Sequence, residues 1–311
     1  MEKSGSRGDG ATVNAETRPA FVTIALVAFA LLAFAGNSVL CRLALSSKSI
    51  DPWSFTAVRL GAGALTLLAL TSRRTRSATL TESRRADWKR AAYLVLYALP
   101  FSLAYVALDT GTGALLLFGA VQLTMLFLGV LAGERPRPLE WLALSGAAGG
   151  VVYLVLPGVR APDPVAAALM LAAGLGWGLY TVAGRNGRRG ADPTVTTAQA
   201  FRHAAMIVIP ATAIALPYWS ITPRGVGLAT ISGALTSGIG YAVWYAALRD
   251  VSTTRAALVQ LSVPVLAAIG GVVFLSEAIT ARLSIASLII LGSIAAGVAG
   301  RRQASSRLGS S

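Results

Sequence analysis

Acidic residues are scarce and badly placed for chemistry. The chain has 13 Asp and Glu against 27 Lys and Arg, and only 13% of its residues are charged. None of the acids falls in the middle of an apolar run, so no mid-membrane carboxylate is available to bind a proton and a cation alternately. A single histidine, His203, and a single cysteine, Cys41, leave nothing from which to build a His/Cys metal centre or an internal disulfide. No phosphate-binding loop is present, nor a nucleophile with a base beside it. These absences argue against an enzyme and predict neither cofactor nor metal.

What is present is apolar length. Hydrophobic residues make up 55% of 311 residues, and mean hydropathy is +0.65, too apolar for a soluble domain of this size. Runs near the roughly 20 residues needed to cross a bilayer occur near 21–41, 53–71, 91–108, 112–132 and 139–156. Five more follow near 165–184, 196–216, 225–248, 254–275 and 283–300. In a soluble chain the net charge of +14 would suggest nucleic acid. Here the charge lies between apolar runs and sets orientation instead. Most Lys and Arg fall on the side that holds both termini, including Arg73, Arg74, Arg76, Arg84, Arg85, Lys89 and Arg90 of the longest loop. By the positive-inside rule both termini are expected in the cytoplasm. The first apolar run ends without a small-residue cleavage pattern, so it reads as a retained helix rather than a signal.

The chain also repeats. Arg42, Arg59 and Glu134 recur as Arg185, Arg202 and Glu277, each 143 residues later. With five runs per copy, an odd number, the second copy enters the bilayer upside down. The expected fold is therefore an all-α integral membrane protein of ten helices in two inverted five-helix repeats, the architecture of secondary transporters. The expected units are a disordered segment 1–20, a first repeat 21–156, a second repeat 165–300 and a tail 301–311.

Particular residues carry a resemblance. Gly36, Asn37 and Arg42 in the first run, Asp51-Pro52 and Arg59 at the second, and Gly133-Glu134-Arg135 after the fourth are answered by Trp177, Tyr180 and Arg185, by Asp192-Pro193 and Arg202, and by Pro264 and Ser276-Glu277. This doubled pattern resembles the drug/metabolite transporter superfamily, EamA type. The resemblance implies a multi-pass exporter of small metabolites, most often amino acids, in a bacterial inner membrane, with no nucleic acid and no obligatory protein partner. The span-four segment Val121-Gln122-Leu123-Thr124 departs from the pattern, which has a proline near that place.

Candidate site residues follow from polarity inside apolar runs. Tyr97, Trp177, Tyr180, Trp244 and Tyr245 put hydroxyl or indole groups at mid-span, where each needs a partner or a wet cavity. Asn37, Gln122 and Gln260 add neutral amides. Packing within the core is the plainer role for each of these; a wall around a substrate is the other. Pro264 and Pro100 remove helix hydrogen bonds beside Gln260 and Tyr97 and predict bends. Arg59 and Arg202 lie about two turns inside their runs, where a charge either reaches the nearer surface or attracts a substrate carboxylate. Glu134 and Glu277 end their helices, either solvated or as gate-closing partners of an Arg. The function expected is export of neutral and aromatic amino acids by a facilitator working through alternating access. The alternative is an exporter of hydrophobic organic cations held by aromatic faces, or of other small metabolites, with proton coupling possible.

Overall fold

The computed structural model describes residues 19–75, 84–133, 138–185, 192–213, 219–251 and 253–308. Glu134, Arg135 and the outer parts of both termini lie outside that set, as do the side chains of Arg73, Arg74, Arg84 and Arg185. Among the described residues the fold is helical, with one short extended pairing between loops. The first repeat comprises α1 (Ala20–Ser46), α2 (Pro52–Thr75), α3 (Arg84–Ala104), α4 (Thr110–Leu131) and α5 (Pro138–Val155). The second comprises α6 (Pro164–Arg185), α7 (Pro193–Ala211), α8 (Pro223–Ala247), α9 (Thr253–Gln260 and Ser262–Leu275) and α10 (Ala281–Leu308).

Start signals in the sequence are used as written. Helices α2, α5, α6, α7 and α8 each begin on proline, whose fixed φ suits a first turn that has no amide partner. Asp51 accepts hydrogen bonds from the amides of Trp53 and Ser54, and Asp192 from that of Thr194, which caps α2 and α7.

Eight of the ten helices are long and apolar enough to cross a membrane. The exceptions are α3, whose first turns carry Arg85, Asp87, Lys89 and Arg90, and α7, rich in Thr and carrying Gln199, Arg202 and His203. Neighbours compensate for this weaker apolarity. Helix α3 packs on α6 and α7, and α7 on α2, so each has other helices along part of its surface. The last helix continues to Leu308, past the boundary at residue 300 expected from its apolar run.

The packing repeats with the sequence. Helix α1 lies against α8 and α9, and five helices on, α6 lies against α3 and α4. Likewise α2 against α8 is matched by α7 against α3, while α2–α7, α4–α9 and α5–α10 pair with their own counterparts. The two copies are thus interlocked through α1–α4 and α6–α9, with α5 and α10 to one side.

Close packing at the centre depends on small residues. A Cβ at Gly176 would sit 2.6 Å from the Tyr97 amide nitrogen, so α6 meets the α3 backbone only because that carbon is missing. Gly233 of α8 lies against the carbonyl of Arg59 in α2 in the same manner. Around it, residues Ser232–Ile239 form a π-helical stretch, a wider coil than the α-helix it interrupts. Helix α9 is interrupted once, at Leu261, whose amide bonds back three residues to Leu258 rather than four, just ahead of Pro264. Pro100 lies inside α3 without interrupting it.

The candidate functional site

A cavity of about 40 Å3 lies where the copies interlock. Helix α1 contributes Phe34, Asn37 and Ser38; α3 contributes Tyr97 and Phe101; α4 contributes Leu117 and Phe118. From the second copy come Trp177 of α6, Thr236, Ser237 and Tyr241 of α8, and Gln260 of α9. That volume has room for a few waters. It is far below the roughly 300–1,000 Å3 of a small-molecule pocket, so the side chains leave little free space at the centre in this conformation.

The wall is built from aromatic rings touching in series. Tyr97 and Phe101, one turn apart on α3, have ring centres 5.3 Å apart, and Phe101 meets Tyr105 at 4.8 Å. Tyr97 also meets Trp177 at 5.0 Å, and Trp177 stacks on Tyr180 at 5.2 Å and on Tyr241 at 5.4 Å. Phe34 touches both Tyr241 and Trp244. Burial without a partner would cost each hydroxyl. Tyr180 donates to Thr197 Oγ1 at 3.2 Å, and Thr197 is 3.1 Å from the Tyr245 hydroxyl, so these two tyrosines stand behind the wall, tied to α7.

Asn37 joins the copies. Its Nδ2 donates to the Tyr97 hydroxyl at 3.3 Å, and its Oδ1 accepts from Ser232 of the π-helical stretch at 2.7 Å. Of the amides and aromatics singled out by sequence, Asn37, Tyr97, Trp177 and Gln260 reach the cavity. Tyr180, Trp244 and Tyr245 support it from outside, and Gln122 is half-buried on α4 without lining it.

Of the two places the sequence left open for Arg59, the nearer surface and the neighbourhood of a substrate carboxylate, the surface is not where it lies. It is 1% exposed, in the interior. Its Nη2 donates to the Tyr97 hydroxyl at 2.9 Å and its Nε to Ser237 Oγ at 3.4 Å, while its guanidinium lies over the Tyr97 and Phe101 rings at 5.2 and 5.1 Å. Its Nη1 is buried with no partner. Arg202, the counterpart at the same spacing, is exposed on α7 and does not line the cavity. The two arginines are equivalent in sequence and different in environment.

At one end of the bundle Arg42 gathers groups from both copies. Its Nε lies 3.3 Å from Glu277 Oε1, its Nη2 3.6 Å from Asp109, and its Nη1 donates to the carbonyls of Tyr105 and Val106. The second Glu277 oxygen accepts from the Thr110 amide at 2.8 Å, at the start of α4. Asp109 stands at the N-cap of α4 without capping it, so a carboxylate from the other copy occupies the positive end of that helix. On the sequence Glu277 could have been a solvated helix end; here its side chain is 11% exposed. Nearby, the α1–α2 loop pairs with the segment before α8. Ser220 donates to the Lys48 carbonyl, Thr222 donates to that of Ser49, and the Asp51 amide donates to the Ser220 carbonyl.

His203 is buried, with Nδ1 2.8 Å from the Gln199 carbonyl and its ring 4.7 Å from Trp88. It lines no part of the cavity.

Residues 164–297 match the EamA-like transporter family. The chain belongs to that family. It is 49% identical over 275 residues to an uncharacterized protein of Pseudomonas aeruginosa, covering 88% of this chain and 93% of that one. It is 31% identical over 211 residues to the threonine/homoserine exporter RhtA of Escherichia coli K12, covering 66% of this chain and 63% of that exporter, so the match spans less than two thirds of it. A crystal structure with a TM-score of 0.59 and 23% identity covers 86% of the transporter and aligns over 95% of its own length, which establishes a shared fold.

Proposed function

We propose that the transporter exports amino acids, over a broad neutral and aromatic range, by alternating access across a bacterial inner membrane. The observation that carries this reading is the central cavity. It lies between interlocked copies and is lined by aromatic rings and neutral polar groups, with no acidic side chain among its lining residues. The matched packing supports 21–156 and 165–300 as two copies of one unit, interlocked around the cavity whose access would alternate. Segments 1–20 and 301–311 would both face the cytoplasm, by the charge count.

Arg42 and Glu277 would then close the periplasmic face, because they end α1 and α9 on the side opposite the termini. By the 143-residue spacing Arg185 and Glu134 are the counterpart pair for the cytoplasmic face, a pairing that rests on sequence alone.

A cavity without a carboxylate, and a histidine outside it, support a facilitator that moves substrate down its own gradient. The test is flux of threonine and phenylalanine into proteoliposomes holding purified transporter, with and without an imposed pH gradient. Saturable, gradient-independent equilibration is expected. Accumulation driven by a pH difference and abolished by His203→Ala would sink the facilitator. Export of a quaternary ammonium compound, unaffected by excess amino acid, would sink the substrate class.

A further inference from the structure

We infer that Arg59 is the anion-binding centre of the cavity, and that the transporter recognises its substrate by the carboxylate rather than the ammonium group. The inference rests on the cavity being the transport site. It reaches beyond amino acids to aromatic and aliphatic monocarboxylates without an amino group.

Charge bookkeeping leads there. A guanidinium buried within a membrane bundle is costly unless an anion or several oriented dipoles face it. Among the described residues Arg59 has the Tyr97 and Ser237 hydroxyls and two ring faces, with no carboxylate, and Nη1 remains unpartnered. Tyr97, Phe101 and Ser237 all line the cavity, so the uncompensated charge lies directly behind its wall. Arg59 does not itself line the cavity, so a shift of the Tyr97 or Ser237 side chain would let a substrate carboxylate supply the missing acceptor through a charge-assisted bond.

The ammonium group finds neutral acceptors, the oxygens of Asn37, Ser38, Thr236 and Gln260, but no opposite charge. No lining residue is acidic. The Asn37 carbonyl already accepts from Ser232, and the Tyr97 and Phe101 faces already carry Arg59. Trp177, the natural cation platform, is stacked against both Tyr180 and Tyr241. Gln260, Ser38 and Thr236 are neutral, and tolerate an ammonium without requiring one. Organic cations are disfavoured on the same grounds, because a fixed positive charge stands behind the site.

The test uses full-length transporter in detergent and in proteoliposomes. Phenylalanine, 3-phenylpropionate and phenylpyruvate are compared with 2-phenylethylamine and phenylalaninamide, first for thermal stabilisation and then as competitors of phenylalanine counterflow. The three acids should act within about tenfold of one another, and both amines should be weaker by more than tenfold, as expected when a site built to bond a polar group meets an analogue that lacks it. Arg59→Gln should erase the preference, and Arg59→Lys should keep it in weakened form. Equal action of 2-phenylethylamine and 3-phenylpropionate overturns the inference. So does an absence of any response to the acids, or an unchanged preference in Arg59→Gln. Should Arg59→Gln fail to fold, the wild-type panel decides alone. A response to 3-phenylpropionate without one to phenylalanine would instead overturn the amino-acid reading and leave the carboxylate centre standing.

Discussion

Arg42 at the end of α1 and Glu277 after α9 are 235 residues apart in the chain and 3.3 Å apart in space. Together with the Glu277 contact to the Thr110 amide, they tie the first copy to the second at one end of the central cavity. With side chains 16% and 11% exposed the pair lies between a surface bridge, worth about 1 kcal/mol or less, and a buried one, and in the proposed transport cycle it would be a latch.

Cys41 offers a native reporter of that latch, being the residue before Arg42 and fully buried. Thiol labelling of the wild type should be slow. Glu277→Gln should speed it by about three- to tenfold, the population shift expected from roughly 1 kcal/mol of lost latch energy. An unchanged rate in Glu277→Gln and Arg42→Gln alike would show that the pair does not restrain opening.

Tyr97 is the most connected member of the wall, accepting from both Arg59 and Asn37. Tyr97→Phe preserves the ring and strands both donors, at about 1–3 kcal/mol. Transport should fall at least about tenfold while the protein still elutes as a folded species. Trp177→Ala and Gln260→Ala should also lower transport, and Trp177→Ala should change the order of preferred substrates. Normal transport by all three variants would mean that these side chains are only packing.

Two glycines in facing helices make a paired test of packing. Gly233→Ala would drive a methyl group into the Arg59 carbonyl, backbone that cannot yield, and should lower stability by about 1–3 kcal/mol. Gly61→Ala has open space within 4 Å and should be neutral or slightly stabilising, since alanine is the better helix former. Thermal unfolding in detergent reads both; equal effects would contradict the close approach of α2 and α8.

Orientation is tested by single cysteines at Ser77 and Ala304 in a Cys41→Ser background. Both should react with an impermeant reagent only from the cytoplasmic side. Labelling of either from the periplasm would reverse the charge-based assignment.

Helix number and kind were legible in the sequence because membrane crossing is a local property of a run of residues, as were the caps at Asp51 and Asp192 and the pairing of the copies at 143 residues. Even α3 and α7, the two helices short of apolarity, could be found from their position in the repeat. Tyr97 and Phe101 on α3, and Tyr105 just past its end, fall four residues apart, a helical spacing that holds whatever lies opposite them.

Tertiary structure decided which equivalent residues do equivalent work. Arg59 and Arg202 occupy the same place in two copies, yet one is enclosed by α3 and α8 and the other is exposed, because pseudo-symmetric backbones are clothed in different side chains. Tyr180 and Trp244 were as plausible as Tyr97 from their depth alone. Only the neighbours on other helices separate a ring that lines the cavity from one that stands behind it. Glu277 could not be paired by sequence either, since its partners Arg42 and Thr110 belong to the other copy. An ion pair depends on distance in space, and in a bundle of interlocked repeats that distance is set by packing across the whole chain.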